Sequence, residues 1–311
     1  MTYLVTGGAG FIGSNFLEYM VLKYPNDYFI CLDKLTYASN IHNLDNIKDK
    51  SNFNFIKDDI CNKLDYIFNE YKIDIIVNFA AESHVTKSIE EPNLFLKTNV
   101  DGTFNLLEYA RHYNIKRFHQ ISTDEVYGSL DLDSENKFTE ESILNPSTPY
   151  AASKACADML VLSYFKTYNI PVTISRCANN FGKYQYKEKL IPLVISKILN
   201  NEVIPIHGDG THIRDYIYVT DHVKGIDLIL KKGIEGNVYN ISGNNLISTK
   251  DMINIIKNKM NKEVKTIFVE DRLGNDKKYN LDDSKIRVLG FKNEFDFETD
   301  LDETINWYLN N

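Results

Sequence analysis

Residues 3–13, Tyr-Leu-Val-Thr-Gly-Gly-Ala-Gly-Phe-Ile-Gly, decide the fold. The apolar run at residues 3–6 is typical of a short buried strand, and the apolar residues after the glycines recur at helical spacing. Gly7, Gly10 and Gly13 have the spacing GxxGxxG. Glycines in such a turn let the backbone approach a pyrophosphate, and the free N–H groups of the following helix favour its negative charge. The stretch therefore predicts a strand, a phosphate-binding loop and a helix.

An acidic residue follows the second predicted strand. Residues 28–32 form an apolar run, and Asp33 comes twenty residues after Gly13. An acid at about this distance accepts hydrogen bonds from the adenosine ribose and repels a 2′-phosphate, so NAD is favoured over NADP. The neighbouring Lys34 weakens that exclusion.

Strands and helices alternate through the first half of the chain. Further strands are predicted near residues 54–56, 74–79, 117–121 and 172–175, a long helix over 92–113, and a loop over 130–149. The fold class is therefore α/β, a Rossmann-type doubly wound parallel sheet with right-handed crossovers and a smaller C-terminal α+β lobe. Residues 1–178 are predicted to bind the dinucleotide. Residues 179–311 are predicted to form mainly the second, ligand-binding lobe, with some chain returning to the large domain.

Composition excludes several classes of protein. The 311 residues are 43% hydrophobic and 25% charged, with a net charge of -8, which disfavours a nucleic-acid partner. The four cysteines are far apart and form no CxxC, so we expect buried thiols in a reducing compartment and no metal site. The N-terminus lacks signal-peptide features, and no apolar run approaches the ~20 residues that span a membrane. We therefore expect a cytoplasmic protein with no membrane contact.

The stretch 122–128, Ser-Thr-Asp-Glu-Val-Tyr-Gly, is the first candidate for chemistry. It follows the predicted strand at 117–121, and ligands of open α/β sheets bind outside the carboxyl ends of the strands. Adjacent acids are most often a solvated turn. The phosphate-binding loop and a Tyr–Lys pair elsewhere in the chain favour a catalytic role for Thr123, Asp124 and Glu125.

That pair is Tyr150 and Lys154, four residues apart on a predicted helix. Residues at i and i+4 share a helix face, so the ammonium can lie near the phenol. A nearby positive charge lowers the phenol pKa from about 10 towards the working pH, which makes a usable base. The spacing alone is common on exposed helices, but together with the glycine loop and the 123–125 cluster it indicates catalysis.

Two arginines in the C-terminal half are candidate phosphate ligands. A guanidinium meets phosphate with a planar fork, so Arg214 and Arg272 are predicted to clamp a diphosphate carried by the substrate. The alternative is that they form surface salt bridges.

Together these motifs resemble the extended short-chain dehydrogenase/reductase superfamily, and within it the nucleotide-sugar 4,6-dehydratases that act on dTDP-glucose. The resemblance extends from GGAGFIG at Gly7 to DRLGNDKKY at Asp271. Between them lie the segments DKLTYASN, AAESHV, STDEVYG, YAASK, EKLIPLVI, IRDYIYVTDH and YNISG. GGAGFIG and YxxxK mark only the superfamily, whereas STDEVYG with EKLIP is more specific. Related enzymes that only epimerise C4 lack an Asp-Glu pair after the threonine.

The resemblance implies a reaction and a role for each candidate. Tyr150, activated by Lys154 and the nicotinamide charge, takes the O4 proton of glucose while C4 is oxidised by NAD. Glu125 then removes the C5 proton, protonated Asp124 donates to the departing C6 hydroxyl, and the hydride returns to C6. Thr123 hydrogen-bonds near O4. NAD is regenerated in each turnover and is expected to be tightly held.

The resemblance also assigns binding residues. The cofactor positions are Gly7, Gly10, Phe11, Ile12, Gly13, Asp33, Lys34, Asp59, Ile60, Ala80, Ala81, Ser83, Thr98, Tyr150, Lys154 and Asn180. The substrate positions are His84, Thr123, Asn179, Lys189, Leu190, Pro205, Ile206, His207, Arg214, Arg272 and Asn275. It further implies a homodimer built from the helices that start near Pro92 and Tyr150, although their apolar stripes could equally be internal core.

The sequence departs from the family pattern at three places. Asn275 stands where relatives usually have His, Thr249 where an Asn is common, and Thr86-Lys87 replace the usual Asp-Arg. UDP-glucose stays open beside dTDP-glucose, since one methyl group is worth only ~1–3 kcal/mol in a pocket. The motifs also leave open a UDP-sugar 4-epimerase or decarboxylase of the superfamily, and a non-catalytic NAD-binding protein.

Overall fold

The computed structural model describes residues 1–294 and 296–311. Its strands are β1 (Thr2–Thr6), β2 (Tyr28–Asp33), β3 (Phe53–Lys57), β4 (Ile75–Asn78), β5 (Arg117–Thr123), β6 (Val172–Cys177), β7 (Asn179–Phe181), β8 (Ile204–His207), β9 (Ile213–Tyr218), β10 (Asn237–Ile241), β11 (Leu246–Ser248) and β12 (Thr266–Val269). Its α-helices are α1 (Phe11–Lys23), α2 (Asp65–Glu70), α3 (Val85–Glu90), α4 (Pro92–Phe95), α5 (Gly102–His112), α6 (Pro149–Tyr168), α7 (Leu190–Leu199), α8 (Val219–Lys232), α9 (Thr249–Lys259), α10 (Ser284–Val288) and α11 (Phe297–Asn310).

A seven-stranded sheet forms the centre of the molecule, in the order β10-β6-β5-β4-β1-β2-β3. All of its strand pairs are parallel. The chain runs outwards from β1 in one direction to β3 and then in the other direction from β4, so a crevice opens between the carboxyl ends of β1 and β4. The predicted fold class is confirmed.

Both faces of the sheet are buried, as in other doubly wound folds. Neighbouring residues of β1 point to opposite faces: Val5 belongs to the hydrophobic cluster that contains Phe16 of α1, and Leu4 to the cluster that contains Leu106 of α5 and Val161 of α6. This arrangement explains why the strands are continuous apolar runs rather than alternating ones.

The C-terminal half divides between the large sheet and smaller ones. Strand β9 pairs with β7 in parallel and with β11 in antiparallel, and β12 pairs with β8. Strand β10, however, pairs in parallel with β6 and extends the large sheet. The division into two domains at residue 178 therefore remains a proposal. Residues 237–241 return to the large sheet.

The stretch predicted as one helix over 92–113 is helical in three parts. Between α4 and α5 the chain forms a π-helical segment, Leu96–Asp101, which places Thr98 and Asn99 in buried positions. Short helix α3 precedes it and was not predicted. A π-helical segment changes which side chains face inwards, and such segments are frequent at functional sites.

Burial of the cysteines differs from the expectation. Cys31 and Cys177 are buried as expected, but Cys61 is only partly buried and Cys156 is exposed, because it lies on the outer face of α6. Within residues 1–294 and 296–311, no helix combines the length and the apolarity needed to cross a membrane.

Candidate active site

The glycine loop is shaped by close backbone contacts. Gly7 has a φ of 67°, and a Cβ atom there would lie 2.6 Å from the backbone nitrogen of Ala80. A Cβ atom on Gly13 would lie 2.4 Å from the carbonyl oxygen of Gly7. Both distances are shorter than any real contact, so only glycine fits, and α1 can start directly against the end of β1. Its free N–H groups then face the crevice.

A cavity of about 280 Å³ lies beside this loop. It receives residues from the ends of β1, β2, β4, β5 and β6 and from the start of α6. All sixteen predicted cofactor residues line it: Gly7, Gly10, Phe11, Ile12, Gly13, Asp33, Lys34, Asp59, Ile60, Ala80, Ala81, Ser83, Thr98, Tyr150, Lys154 and Asn180. The structure thus brings together residues that are up to 173 positions apart in the sequence.

One end of the cavity is organised by Asp33. Its carboxylate accepts hydrogen bonds from the backbone nitrogens of Ala9 at 3.0 Å and Leu35 at 2.8 Å, which fixes it against the glycine loop. The ammonium of Lys34 lies 3.6 Å from both Asp59 and Glu82. Lys34 is therefore held among acids, which reduces its capacity to bind a 2′-phosphate.

The predicted catalytic cluster is a tight turn at the end of β5. A 3-10 helix, Asp124–Tyr127, starts directly after Thr123. The Thr123 hydroxyl accepts from the backbone nitrogen of Glu125 at 3.3 Å and donates to Asp124 at 3.2 Å. Thr123 and Glu125 line the cavity, whereas Asp124 is buried beside them and does not line it.

Burial gives the two acids different proton affinities. It raises the pKa of Asp124 well above its ordinary value, and the charges of Glu125 and Asp215 raise it further. Burial also raises the pKa of Glu125, where Lys189 and Arg214 act in the opposite direction, whereas Arg214 alone of these two cations opposes the rise at Asp124. One Asp124 oxygen, Oδ2, has no hydrogen-bond partner in the described part of the chain. The arrangement favours a protonated Asp124 beside a more readily ionised Glu125.

Tyr150 and Lys154 lie one turn apart on α6, and both are buried. The Lys154 ammonium donates to the carbonyl of Ile121 at 2.7 Å. Burial, followed by the charge of Glu125, raises the pKa of Tyr150 well above its ordinary value, and burial lowers the pKa of Lys154. The expectation that the phenol pKa falls is therefore wrong for the protein alone, because desolvation of the phenolate is the largest influence on that pKa.

The guanidinium of Arg214 is held by neighbouring side chains, whereas Arg272 lies at the surface. The Arg214 guanidinium lies 4.4 Å from the centre of the Tyr279 ring and donates to the Asn275 side chain at 3.1 Å. Asn275 in turn donates to Asp271 at 2.8 Å. Arg272 is exposed. In the described part of the chain neither arginine forms an ion pair, so the salt-bridge alternative has no support for either.

The other predicted substrate residues are spread around the cavity. His84 caps α3 and lies 3.4 Å from Glu188, Lys189 donates to the carbonyl of Ser83 at 3.0 Å, and His207 lies 3.2 Å from the carbonyl of Glu270. Of the substrate set, Thr123, Asn179 and Lys189 line the cavity. Outside it lie His84, Leu190, Pro205, Ile206, His207, Arg214, Arg272 and Asn275.

Lys87 and Thr249, which also depart from the family pattern, contact residues near them. The Lys87 ammonium lies 5.1 Å from the centre of the Tyr37 ring. Thr249 starts α9, and its backbone nitrogen donates to the carbonyl of His212 at 3.0 Å. Neither contact touches the acids of the 123–125 turn.

Sequence reasoning missed several residues of the site. Glu82, Gln185 and Glu188 line the cavity. Tyr279 is buried close enough to Glu125 and Asp124 for their charges to raise its pKa. Glu82, Glu188 and Tyr279 belong to the segments on which the resemblance was based, so those segments could have indicated them. Gln185 lies in no such segment.

Comparison with known proteins identifies the class. The chain matches the GDP-mannose 4,6 dehydratase family over residues 4–304 and belongs to that family. A dTDP-glucose 4,6-dehydratase of Haemophilus influenzae is 44% identical over 100% of this chain and 98% of its own length. A low-salt glycan biosynthesis protein of Haloferax volcanii is 45% identical over 99% of each chain. The solved dTDP-glucose 4,6-dehydratase DesIV of Streptomyces venezuelae, with NAD bound, superposes with a TM-score of 0.96 at 40% identity, covering 100% of this chain and 98% of that one. The predicted resemblance, and with it the prediction of an enzyme, is confirmed.

Proposed function

We propose that this protein is an NAD-dependent nucleotide-sugar 4,6-dehydratase that converts dTDP-glucose to its 4-keto-6-deoxy sugar and water. The observation that carries the proposal is the Asp124–Glu125 pair at the end of β5, whose environments favour different protonation states. An elimination needs one group to take a proton and another to donate one, and such a pair supplies both.

The cavity fits a dinucleotide. The glycine loop leaves room at Gly7 and Gly13 for backbone only, and the N-terminus of α1 faces the same crevice, which suits a pyrophosphate. Asp33 at the end of β2 suits a ribose diol and disfavours a 2′-phosphate, so NAD is the expected form. When bound, NAD supplies the acceptor for the C4 hydride and later returns that hydride to C6.

Tyr150 acts on the sugar first. Its phenolate form accepts the O4 proton as C4 is oxidised to the ketone, and Thr123 holds the O4 region by a hydrogen bond. The buried Lys154 ammonium on the same face of α6 is the positive charge that the chain supplies to favour the phenolate. The 4-ketone then acidifies the C5 hydrogen.

Elimination follows at C5 and C6. Glu125 accepts the C5 proton, and Asp124 donates its proton to the C6 hydroxyl, which leaves as water. Lys189 and Arg214 favour the ionised form of Glu125, which is the form that a base needs. As the hydride returns to C6, C5 takes a proton back from the Glu125 carboxyl, which exchanges with solvent, and the proton that Tyr150 took from O4 passes through solvent to Asp124, so each group regains its starting state.

The substrate diphosphate is assigned to the cationic rim of the site. Arg214, oriented by Asn275, is the main ligand, and exposed Arg272 is a second one. The relatives named for dTDP-glucose support thymine as the base. UDP-glucose is the rival substrate.

A 4-epimerase is the second candidate. The solved UDP-glucose 4-epimerase of Thermotoga maritima superposes with a TM-score of 0.92 at 27% identity over 100% of this chain and 99% of that one. An epimerase needs only C4 oxidation and reduction, so it has no task for Asp124 and Glu125. The acid pair therefore favours the dehydratase.

We further propose a homodimer. Leu96, Phe104 and Met159 are 49%, 47% and 63% exposed on the helical layer formed by residues 92–112 and by α6. The apolar stripe of α5 itself, formed by Leu106, Leu107 and Ala110, is internal core, whereas the three exposed side chains lie outside it. A second copy packed on this layer would bury them.

The reaction is tested by incubating the protein and NAD in heavy water with dTDP-glucose or UDP-glucose, followed by mass spectrometry and NMR of the sugar. We expect loss of the 6-hydroxyl oxygen and uptake of deuterium at C5, at a higher kcat/KM for dTDP-glucose. A product that keeps the 6-hydroxyl and inverts C4 would establish the epimerase instead. Equal or better turnover of UDP-glucose would overturn the assignment of the base.

A further inference from the structure

A fully buried histidine, His222, is separated from the proposed cofactor cavity by a single residue, Asn180. Strand β7 pairs with β9 so that Asn180 lies opposite Ile217, and α8 starts at Val219, directly after β9. This places His222, in the first turn of α8, beside Asn180, which lines the cavity. The Nδ1 atom of His222 lies 2.8 Å from the Asn180 side-chain oxygen.

The other hydrogen bond of the Asn180 side chain shows which of the two residues donates in this contact. The Asn180 side-chain nitrogen lies 3.0 Å from the carbonyl oxygen of Ala178, which can only accept. The amide must therefore present its NH₂ group to Ala178 and its oxygen to His222. His222 consequently carries its proton on Nδ1 and donates it to Asn180.

The other ring nitrogen of His222, Nε2, is in a different situation from Nδ1. This atom is buried without a hydrogen-bond partner in residues 1–294 and 296–311. Burial also lowers the pKa of His222 to about 3, so the ring is neutral and Nε2 is an unsatisfied acceptor. An apolar residue would fill the same space without that cost. What histidine adds at this position is the bond to Asn180.

Asn180 also connects to the loop that carries other cavity residues. Its carbonyl oxygen accepts from the Gln185 side chain at 2.8 Å, and both Gln185 and Lys189 of this loop line the cavity. This bond is made by the backbone of Asn180 and ties the loop to the end of β7, while His222 sets the orientation of the Asn180 side-chain amide.

We propose that His222 is a positioning residue, which fixes the side-chain amide of Asn180 and so prepares the cavity wall for the cofactor. The inference rests on the proposed role of NAD. His222 touches neither the cavity nor the 123–125 turn, so it acts on cofactor binding through Asn180 rather than on the chemical step.

The test compares NAD affinities, measured by titration calorimetry on protein stripped of nucleotide. His222→Leu removes the donor, and we expect NAD to bind about tenfold more weakly, the size of one hydrogen bond. His222→Asn keeps an N–H near the position of Nδ1 and should stay within about threefold of the parent. His222→Gln places its amide near the position of Nε2 and should behave like His222→Leu. Far-ultraviolet circular dichroism and thermal unfolding establish that each variant is folded.

A double variant separates positioning from packing. If His222 acts through Asn180, adding His222→Leu to Asn180→Ala should weaken NAD binding no further than Asn180→Ala alone. Additive losses, unchanged affinity in His222→Leu, or rescue by Gln but not by Asn would each overturn the inference. If His222→Leu does not fold, the Asn and Gln variants carry the same comparison. A parent protein that binds no NAD would instead refute the proposed cofactor, which is a separate result.

Discussion

Burial, more than neighbouring charge, sets the protonation of the residues proposed to catalyse. Desolvation is the largest influence on the pKa of each of Asp124, Glu125, Tyr150 and Lys154, and it favours the neutral form in all four. Nearby charges then distinguish the two acids: Lys189 favours ionised Glu125, whereas Glu125 and Asp215 disfavour ionised Asp124, and Arg214 favours the ionised form of both. A site of this kind favours a proton on Asp124 over one on Glu125.

Replacing the phenol tests the first step. Tyr150→Phe keeps the buried ring and its edge contact with Phe95, so the fold should be unchanged. Because the base for the O4 proton is lost, we expect kcat to fall by about 10²–10⁴-fold. The measurement is turnover of dTDP-glucose beside NAD affinity, which should stay within about threefold of the parent. Unchanged turnover would show that another group takes the proton.

Removing both acids separates oxidation from elimination. Asp124→Asn with Glu125→Gln leaves Tyr150 and Thr123 in place, so C4 should still be oxidised while water is not lost. Rapid mixing with dTDP-glucose should show the absorbance of reduced nicotinamide accumulating, with product formation slowed about 10²-fold or more. The single variants serve as controls that assign acid and base. Formation of product at the parent rate in the double variant would make the pair structural.

Acid stability should depend on a second buried histidine. His119 of β5 lies 2.9 Å from the Thr173 hydroxyl and 3.2 Å from that of Ser175, and burial lowers its pKa from 6.5 to about 3. Below about pH 6.5 the unfolded chain binds a proton that the folded protein does not. The free energy of unfolding therefore falls as the pH drops through this window, by about 1.4 kcal/mol for each pH unit per histidine at most.

Urea unfolding of the parent and of His119→Gln between pH 4 and 7 measures this contribution. The free energy of unfolding of the variant should fall less on acidification, whatever its value at pH 7. The slope of this free energy against pH is the quantity that measures proton uptake by His119 on unfolding. His222 contributes in the same direction in both proteins, so a reduced slope rather than a flat one is expected. Equal slopes in the two proteins would show that His119 does not resist protonation.

The glycine spacing, Asp33 and the family resemblance together predicted most of the cavity, but not its electrostatics. Gly7, Asp33 and Tyr150 lie in segments whose order along the chain fixes their place in the fold. The raised pKa of Tyr150 could not be read from its spacing to Lys154, because it depends on how deeply both are buried. The bond from Lys154 to the Ile121 carbonyl likewise depends on where α6 docks on β5.

At the scale of elements, the loop between β1 and α1 illustrates what a local pattern can determine. The glycine spacing predicted the turn because backbone atoms 2.4–2.6 Å from a notional Cβ exclude every other residue at Gly7 and Gly13. The π-helical segment Leu96–Asp101 was not predicted, because its apolar residues fit an ordinary helix equally well. Only packing against α6 and α4 distinguishes the two.

Two glycine substitutions should separate folding from cofactor binding at this loop. A Cβ atom on Gly10 would meet only the Gly7 carbonyl oxygen, at 3.3 Å, whereas one on Gly13 would lie 2.4 Å from it. Gly13→Ala should therefore lower the free energy of unfolding by about 1–3 kcal/mol and abolish NAD binding. Gly10→Ala should unfold nearly like the parent and still bind NAD less well, because the added methyl group faces the cavity. Urea unfolding and NAD titration of both variants measure the difference, and equal loss of stability in the two would contradict the steric account.

At the scale of the whole molecule, the path of the C-terminal half was the least predictable feature. Residues 179–311 contribute β7, β9 and β11 to a small sheet, yet β10 crosses back to pair with β6. No strand was predicted at residues 237–241, and a local pattern would not identify its partner, since pairing between distant segments is set by the rest of the fold. This crossing brings Asn240 of β10 into a hydrogen bond with Tyr127, the last residue of the 3-10 helix after β5, at 2.7 Å.

The proposed dimer makes a prediction at the same scale. Phe104 and Met159 are 47% and 63% exposed on α5 and α6, two helices that pack against each other. Phe104→Glu with Met159→Glu would place two unpaired charges in an apolar interface, so the protein should sediment as a monomer while the parent sediments as a dimer. Ile143→Glu is the matched control, because Ile143 is 86% exposed in the loop after β5 and should leave the dimer intact. A monomeric parent, or a double variant that stays dimeric, would show that this helical layer is not the interface.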